Sequence, residues 1–185
     1  MNALAKTHPP FTSAEFYKMA AKGAFDGFRV ELRRGAIVKM SPKWYAHGKA
    51  QSDLMFALKS AIDAAGLGWL VISETTVCFG GGFEPMPDIV VLDPALVSAQ
   101  NGPIPPAAVK LVVEVADASL DDDLGEKRED YAKAGAPEYW VADVNAKLVI
   151  RHASPKGSVF ETEQPQPLSQ PLAMLTAPAV IARIK

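Results

Sequence analysis

Two short apolar stretches decide the fold: Pro87-Asp88-Ile89-Val90-Val91-Leu92 and Leu111-Val112-Val113-Glu114-Val115. Both are rich in β-branched residues, as in central strands whose two faces are covered, and each contains one acid. An unpaired carboxylate inside such a sheet is costly, so we expect Asp88 and Glu114 to be paired, strongly hydrogen-bonded or bound to a cation. If the two strands are neighbours, the two acids together suggest a metal site.

A third stretch follows the second strand. Residues 121–131 (DDDLGEKREDY) form an acid-rich start of a helix, which carries Lys127 back towards the end of the Glu114 strand. Asp123 and Glu126 have the spacing of a capping box. The acids at 121–123 are interpreted mainly as partners of the helix dipole. The pattern therefore predicts that an aspartate, a glutamate and a lysine converge on one patch.

The remaining pattern predicts a mixed sheet flanked by helices. A strand-helix-strand unit over 111–143 implies one crossover connection, and a long helix with an apolar stripe covers the other face. The class is α/β or α+β, with residues 1–10 as a loose arm and 11–185 as one domain. The other predicted elements are a helix capped by Thr12 or Ser13, a hairpin over 28–40, the long helix over 45–65, and strands at 69–73, continuing towards 79, 139–143, 148–152 and 179–181. Residues 154–171 are weakly patterned, and 93–108, with four prolines, is predicted as a loop with little regular structure.

Composition narrows the class of protein. The chain has 185 residues, of which 49% are hydrophobic and 22% charged, as in an ordinary globular domain. A formal charge of -2 provides no general attraction to nucleic acid, so such a partner needs a local basic patch, a metal site or a dimer groove. The single cysteine, Cys78, excludes an internal disulfide and indicates a reducing compartment. We find no signal-peptide run or membrane-spanning stretch in the sequence and expect a cytoplasmic location.

The paired acids favour a hard divalent cation. Two carboxylates about 4 Å apart repel by roughly 4 kcal/mol at an effective dielectric of 20, so both stay ionised only with a cation between them. Mg²⁺ suits such a site because it prefers oxygen ligands and shares its shell with water and phosphate, and Mn²⁺ accepts the same ligands. A lysine within reach can orient a water molecule or offset charge on a phosphoryl transition state. Lys127 is the first choice for this role.

The order and spacing of these and other phrases resemble the Uma-type family of predicted restriction endonucleases, within the PD-(D/E)XK nuclease superfamily. The resemblance covers residues 28–152 and includes Glu31 in VELxxG, the MSP motif at 40–42, His47, the strands of Asp88 and Glu114, and DLGEKRxxYxxxGAPEYWVxD at 123–143. It implies a restriction-endonuclease-like fold, a divalent metal site and phosphodiesterase activity.

The sequence departs from the wider superfamily at one position. There the lysine follows the glutamate by two residues on the same strand, a position that Ala116 occupies in this chain. The Uma-type pattern implies that Lys127 on the following helix supplies the lysine instead. Lys110 is the second choice, because four strand residues place it roughly 13 Å from Glu114 along the strand.

Each candidate also has a structural interpretation. Asp88 can cap the loop after Pro87, and Glu114 can form a buried ion pair with Lys127 that needs no metal. Glu31 extends the metal site or faces solvent, and His47 contacts a phosphate, acts as a base or has only a structural role. Tyr131 bounds the pocket or packs in the core. The tryptophans are assigned to the core or an interface rather than to base stacking.

Three functions follow from these alternatives. The first is a magnesium-dependent endonuclease acting as a homodimer on double-stranded DNA, with Asp88 and Glu114 as metal ligands and Lys127, Glu31 and His47 as further catalytic residues. The second is a catalytically silent module of the same fold that binds DNA or protein, with its acids and lysine held in structural pairs. The third is a dimerisation domain whose interface includes the proline-rich loop and the C-terminal strands.

Overall fold

The computed structural model describes residues 10–97 and 102–184. Most of the predicted arm, residues 1–9, and the middle of the proline-rich loop, residues 98–101, lie outside this range. The helices are α1 Ser13–Ala20, α2 Tyr45–Ala65, α3 Leu120–Leu124 and α4 Glu126–Lys133, with short 3-10 turns at Pro94–Leu96 and Pro106–Ala108. The strands are β1 Val30–Arg33, β2 Ala36–Lys39, β3 Leu70–Ser73, β4 Ile89–Leu92, β5 Val109–Ala116, β6 Glu138–Asp143, β7 Leu148–Lys156, β8 Val159–Pro167, β9 Leu172–Ala173 and β10 Ile181–Ala182.

A six-stranded mixed sheet with the order β3-β4-β5-β6-β7-β8 forms the centre of the molecule. The pair β5-β6 is parallel, and the other four neighbouring pairs are antiparallel. Because parallel strands need a crossover connection, α3 and α4 lie between β5 and β6 in the chain. The predicted mixed sheet with one crossover and flanking helices is confirmed.

The long helix α2 covers one face of the sheet. Leu54, Leu58 and Ile62 form the predicted stripe, and all three are buried against residues of the central strands. The short pair β9-β10 packs into the same core through Leu172 and Ala182. Gly66 ends α2 in the left-handed conformation, with φ of 67°, which costs glycine little because it has no Cβ.

The hairpin β1-β2 forms a sheet of its own. Arg34 and Gly35, both with positive φ, form its two-residue turn, which matches the twist of antiparallel strands. Leu32 joins the hairpin to the loop before β4 through two backbone hydrogen bonds with Glu84. Thr12 caps α1 in a reciprocal capping box with Glu15, as predicted.

Two predictions outside the site are wrong. The weakly patterned segment contains β8, a nine-residue strand that pairs with β7 along its length. Strand β8 lies at the edge of the sheet, with solvent in place of a further partner strand, and its residues are mostly exposed. The other error concerns β3, which ends at Ser73, whereas Val77 forms a separate parallel bridge with Ile104.

None of the helices within the described ranges is long and apolar enough to cross a membrane.

Candidate active site

The two acids of the central strands lie beside each other. Strand β4 pairs with β5 in antiparallel register, with Ile89 opposite Val113, and this places Asp88, which precedes Ile89, beside Glu114 and Val115. The backbone N–H of Val115 donates a hydrogen bond of 2.7 Å to Oδ2 of Asp88. Asp88 is 4% exposed and Glu114 is 3% exposed. The predicted pairing of these strands therefore places two nearly buried carboxylates together.

Both acids line a cavity of about 370 Å³. Its walls come from the hairpin, the start of α2, the end of β5 and the α3-α4 segment. All five residues that the sequence predicted as catalytic line it: Glu31, His47, Asp88, Glu114 and Lys127.

Three donors surround the Asp88 carboxylate. Oδ2 accepts from Val115 and lies 2.9 Å from Nε2 of His47, while Oδ1 contacts Nζ of Lys43. Burial alone would raise the pKa of Asp88, but the His47 hydrogen bond and the Lys43 charge outweigh it and lower this pKa to about 2. Gln51, one helical turn after His47, donates to the backbone carbonyl of Asp88 at 2.8 Å. Asp88 is therefore a fixed, ionised carboxylate.

Glu114 forms the ion pair that the structural interpretation predicted. Nζ of Lys127 lies 3.0 Å from Oε1 of Glu114, and the hydroxyl of Tyr131 donates to the same oxygen at 2.8 Å. Burial raises the pKa of Glu114 in spite of Lys127, and the nearby charges of Asp88 and Asp123 add to this rise. Burial and the neighbouring acids thus oppose the ionised form of Glu114, and Lys127 supports it.

The helix that carries Lys127 begins differently from the prediction. The capping box of Asp123 with Glu126 is wrong, because Asp123 already lies in α3 and its carboxylate accepts from the Ser119 hydroxyl at 2.6 Å. Gly125 separates α3 from α4, and a Cβ at this position would lie 2.6 Å from the Asp121 carbonyl oxygen. The break allows Asp123 and Lys127, which are 3.7 Å apart, to face the same cavity.

The hairpin contributes an acid, Glu31, and an arginine, Arg33, to the cavity. Glu31 is 4% exposed, so its solvent-facing interpretation is wrong. Its Oε2 accepts a long hydrogen bond of 3.4 Å from the Met86 N–H, and Nε of Arg33 lies 4.0 Å from Oε1. Arg33 also binds the Asp122 carboxylate through two hydrogen bonds of 2.6 and 2.9 Å. The hairpin is thus tied to the segment that presents Lys127.

Sequence reasoning missed several residues of this site. Gln51 follows His47 by four positions on a predicted helix, a spacing that places both on one face. Asp123 and Lys127 have the same spacing, but Gly125 breaks the helix between them, so this spacing did not place them together. Lys43 and Arg33 had no comparable signal, because Lys43 follows the MSP motif, Arg33 is an unspecified position of VELxxG, and the placement of both depends on the tertiary structure.

The structure also places Lys110 and the three tryptophans. Lys110 does not line the cavity, and its Nζ lies 3.8 Å from Asp93. Trp140 is buried in the core and Trp69 packs against it, as expected. Trp44 does not belong to the core, because it is 75% exposed and lies at the rim of the cavity.

The donors of the cavity suit a hard cation. Its lining includes six carboxylates and four basic side chains; the acids are Glu31, Asp88, Glu114, Asp117, Asp122 and Asp123, and the basic residues are Arg33, Lys43, His47 and Lys127. Oxygen ligands and excess negative charge are what Mg²⁺ requires. Within residues 10–97 and 102–184, no three acidic, histidine or cysteine side chains form a ready-made metal-holding group. The cavity can therefore supply two adjacent carboxylates, and water or phosphate oxygens would complete the shell.

Comparison with known proteins agrees with this geometry. A family model named Uma2 and described as "Putative restriction endonuclease" matches residues 13–183. The chain belongs to the Uma2 family. Its structure is similar to a crystal structure from Anabaena variabilis ATCC 29413, described as "a putative nuclease belonging to DUF820". That match has a TM-score of 0.68 and 17% sequence identity, and it covers 89% of each chain. No curated protein matches the chain.

Membership in the Uma2 family supports a nuclease-like function. Restriction-endonuclease-like proteins usually use divalent metal ions, in agreement with the oxygen-rich lining of this cavity. The similarity to the Anabaena variabilis structure supports the fold, since sequence identity is only 17%.

Proposed function

We propose that this Uma2-family protein is a metal-dependent endonuclease that hydrolyses phosphodiester bonds in double-stranded DNA. The observation that carries the proposal is the convergence of Asp88, Glu114 and Lys127 on one cavity. The two acids come from adjacent strands and the lysine from the following crossover helix. This set of groups matches what phosphodiester hydrolysis needs, namely ligands for a cation and a fixed positive charge.

Asp88 and Glu114 would hold the ion, which we propose to be Mg²⁺, with Mn²⁺ as a substitute. When bound, a divalent ion offsets the phosphate charge and makes a nearby water molecule more acidic. His47 acts on Asp88, because its Nε2 contact fixes the orientation of that carboxylate. Gln51 supports the same strand from the next turn of α2.

Hydrolysis joins the oxygen of a water molecule to phosphorus and breaks one P–O ester bond. The water loses a proton and the leaving oxygen gains one. The ammonium of Lys127 can offset negative charge that grows on the phosphoryl oxygens. Glu31, whose carboxylate has one long hydrogen bond and a distant arginine, remains available to orient the water molecule.

The proposed substrate must be held locally, because the whole chain carries a formal charge of -2. Lys43 and Arg33 supply positive charge to the cavity, and Trp44 offers an exposed indole at its rim. We further propose a homodimer, because two cavities are needed to cut both strands of a duplex in one binding event. Gel filtration with light scattering tests this part separately from the chemistry.

Calorimetric titration tests the metal site. Mg²⁺ or Mn²⁺ should release or absorb heat with the wild type, and Asp88→Ala and Glu114→Ala should abolish this signal. Asp93→Ala is the matched control, because Asp93 directly follows β4 and does not line the cavity. Absence of heat at millimolar metal with the wild type would contradict the proposed metal site.

A nicking assay with supercoiled plasmid tests the chemistry. The wild type should nick or linearise the plasmid only with added metal, and Lys127→Ala should lose at least about 100-fold of the rate because the positive charge is lost. Lys110→Ala should retain the wild-type rate, because Lys110 lies outside the cavity. Equal rates for the wild type and Lys127→Ala would remove Lys127 from the proposed mechanism.

One observation favours a second candidate, a silent module that binds DNA or protein. The acids already have internal partners, since Lys127 neutralises Glu114 and Lys43 contacts Asp88. Under this alternative, calorimetry shows no metal binding and the plasmid stays supercoiled. A fluorescently labelled duplex would still bind, and its affinity would not depend on metal.

A further inference from the structure

Lys43 supplies positive charge to the cavity and also contacts one of the two proposed metal ligands. It lies in the loop between β2 and α2, and its Nζ contacts Oδ1 of Asp88. The same nitrogen lies 2.8 Å from Oε1 of Glu74, which also pairs with Arg29 at 2.7 Å. The Lys43 side chain therefore joins a buried acid of the cavity to a partly exposed acid outside it.

Lys43 contacts Oδ1 of Asp88, the oxygen that neither His47 nor Val115 contacts. The other oxygen, Oδ2, already has the Val115 N–H at 2.7 Å and Nε2 of His47 at 2.9 Å. Both of these donors belong to packed elements, a central strand and the helix α2. A divalent ion that binds Asp88 must therefore approach Oδ1, where the Lys43 ammonium lies. Two cations at one carboxylate oxygen repel each other, so one must leave.

We infer that Lys43 is the counter-ion of Asp88 in the metal-free protein. A divalent metal ion displaces Lys43 from Asp88, and Lys43 then contacts the phosphate of the substrate. This inference rests on the proposed function. Lysine suits such an exchange because its charge lies at the end of a flexible four-carbon chain. Glu74 lies beside the ammonium and provides a second partner for Lys43 after it leaves Asp88.

The two lysines of the cavity have different roles under this inference. Lys127 is on α4, is 7% exposed and lies near two carboxylates, those of Glu114 and Asp123. Lys43 is in a loop and shares its ammonium with Glu74 on the outer side of the cavity. Lys127 therefore stays in place when metal binds, whereas Lys43 moves. Removal of Lys43 should consequently strengthen metal binding.

Calorimetry with Mn²⁺ alone tests the exchange. Lys43→Met preserves the length of the side chain and removes its charge, and it should bind Mn²⁺ about ten- to hundredfold more tightly than the wild type, the equivalent of one charged hydrogen bond. Lys43→Arg keeps the charge and should bind close to wild-type affinity. Lys49→Met is the matched control, because Lys49 pairs with Asp53 on the surface of α2 and does not line the cavity.

Nicking kinetics provide the second measurement. With saturating Mn²⁺, Lys43→Met should show a KM for duplex DNA raised about tenfold through loss of one phosphate contact, although it binds metal more tightly. Thermal unfolding in EDTA establishes that each variant is folded. If Lys43→Met is unfolded, Lys43→Gln replaces it, since glutamine can still donate to Asp88 without a charge.

The outcomes separate this inference from the proposed function. If the wild type binds Mn²⁺ and both uncharged variants bind it equally or more weakly, the exchange is wrong and the metal site stands. If neither the wild type nor any Lys43 variant binds Mn²⁺, the proposed metal site fails, and the exchange fails with it. Binding by Lys43→Met but not by the wild type would contradict the exchange, because the metal ion would then be unable to displace the resident lysine.

Discussion

Replacing Lys127 by methionine should destabilise the protein in the absence of metal by about 3 kcal/mol, the lower end of the range for breaking one side of a buried ion pair. The contacts of Glu114 explain why the loss should lie at the lower end of this range. Glu114 loses its partner at 3.0 Å and stays nearly buried, but it keeps the Tyr131 hydroxyl at 2.8 Å. It can also take up a proton, because burial already raises its pKa. Both effects reduce the loss.

A double-mutant cycle measures the coupling between the two side chains. Glu114→Gln combined with Lys127→Met removes both charges and preserves a hydrogen-bond acceptor for Tyr131. This double variant should lie within about 1 kcal/mol of the wild type, because no charge is left buried without a partner. The assay is urea unfolding in EDTA at neutral pH, followed by circular dichroism, for the wild type, both single variants and the double variant.

Added metal extends the same experiment. Mg²⁺ should restore part of the stability of Lys127→Met, because the ion replaces the ammonium beside Glu114, and it should have little effect on the double variant. A loss below about 1 kcal/mol for Lys127→Met would contradict this reasoning, because breaking one side of a buried ion pair should cost more than breaking an exposed pair. A double variant as unstable as Lys127→Met would mean that lost packing, rather than the unpaired charge, causes the effect.

Two further predictions concern the distal half of the sheet. Burial lowers the pKa of His152, which packs against the rings of Tyr139 and Phe160, although the attraction of Glu163 opposes this shift. The unfolded chain therefore takes up this proton at a higher pH than the folded protein, and stability should fall as pH drops below about 6.5. His152→Phe should reduce this pH dependence, and urea midpoints at pH 7.5 and 5.5 measure it; an unchanged slope would contradict the assignment. Glu138 accepts four hydrogen bonds, from the Trp140 indole, the N–H groups of residues 175 and 176, and the Thr176 hydroxyl. Glu138→Ala should cost about 3 kcal/mol and expose the C-terminal segment to limited proteolysis, whereas similar cleavage of both proteins would show that packing alone holds this segment.

Local patterns predicted most of the fold. The apolar stripe of α2 identified the core because a helix buries residues at a fixed period. The β-branched runs of β4 and β5 identified it because both faces of a central strand are covered. The edge strand β8 was missed because its residues alternate too weakly and include prolines, so only pairing with β7 reveals it.

The residues of the site also fall into those that the sequence pattern indicates and those that only the tertiary structure brings together. Asp88, Glu114 and Lys127 were accessible to sequence reasoning, since an acid in an apolar strand requires a partner. Lys43 and Arg33 were not, because they come from loop and hairpin positions that only the folded chain brings to the cavity. The helix break at Gly125 was also hidden, and with it the inward direction of Asp123.

Because the ammonium comes from α4, the strand under the cavity needs no charged side chain after Glu114, and Ala116 is fully buried there. The residues that pair the central strands and the residue that supplies the amine thus lie in separate segments of the chain. Under the proposed function, a substitution in the crossover helix alters the amine without changing the residues that pair these strands.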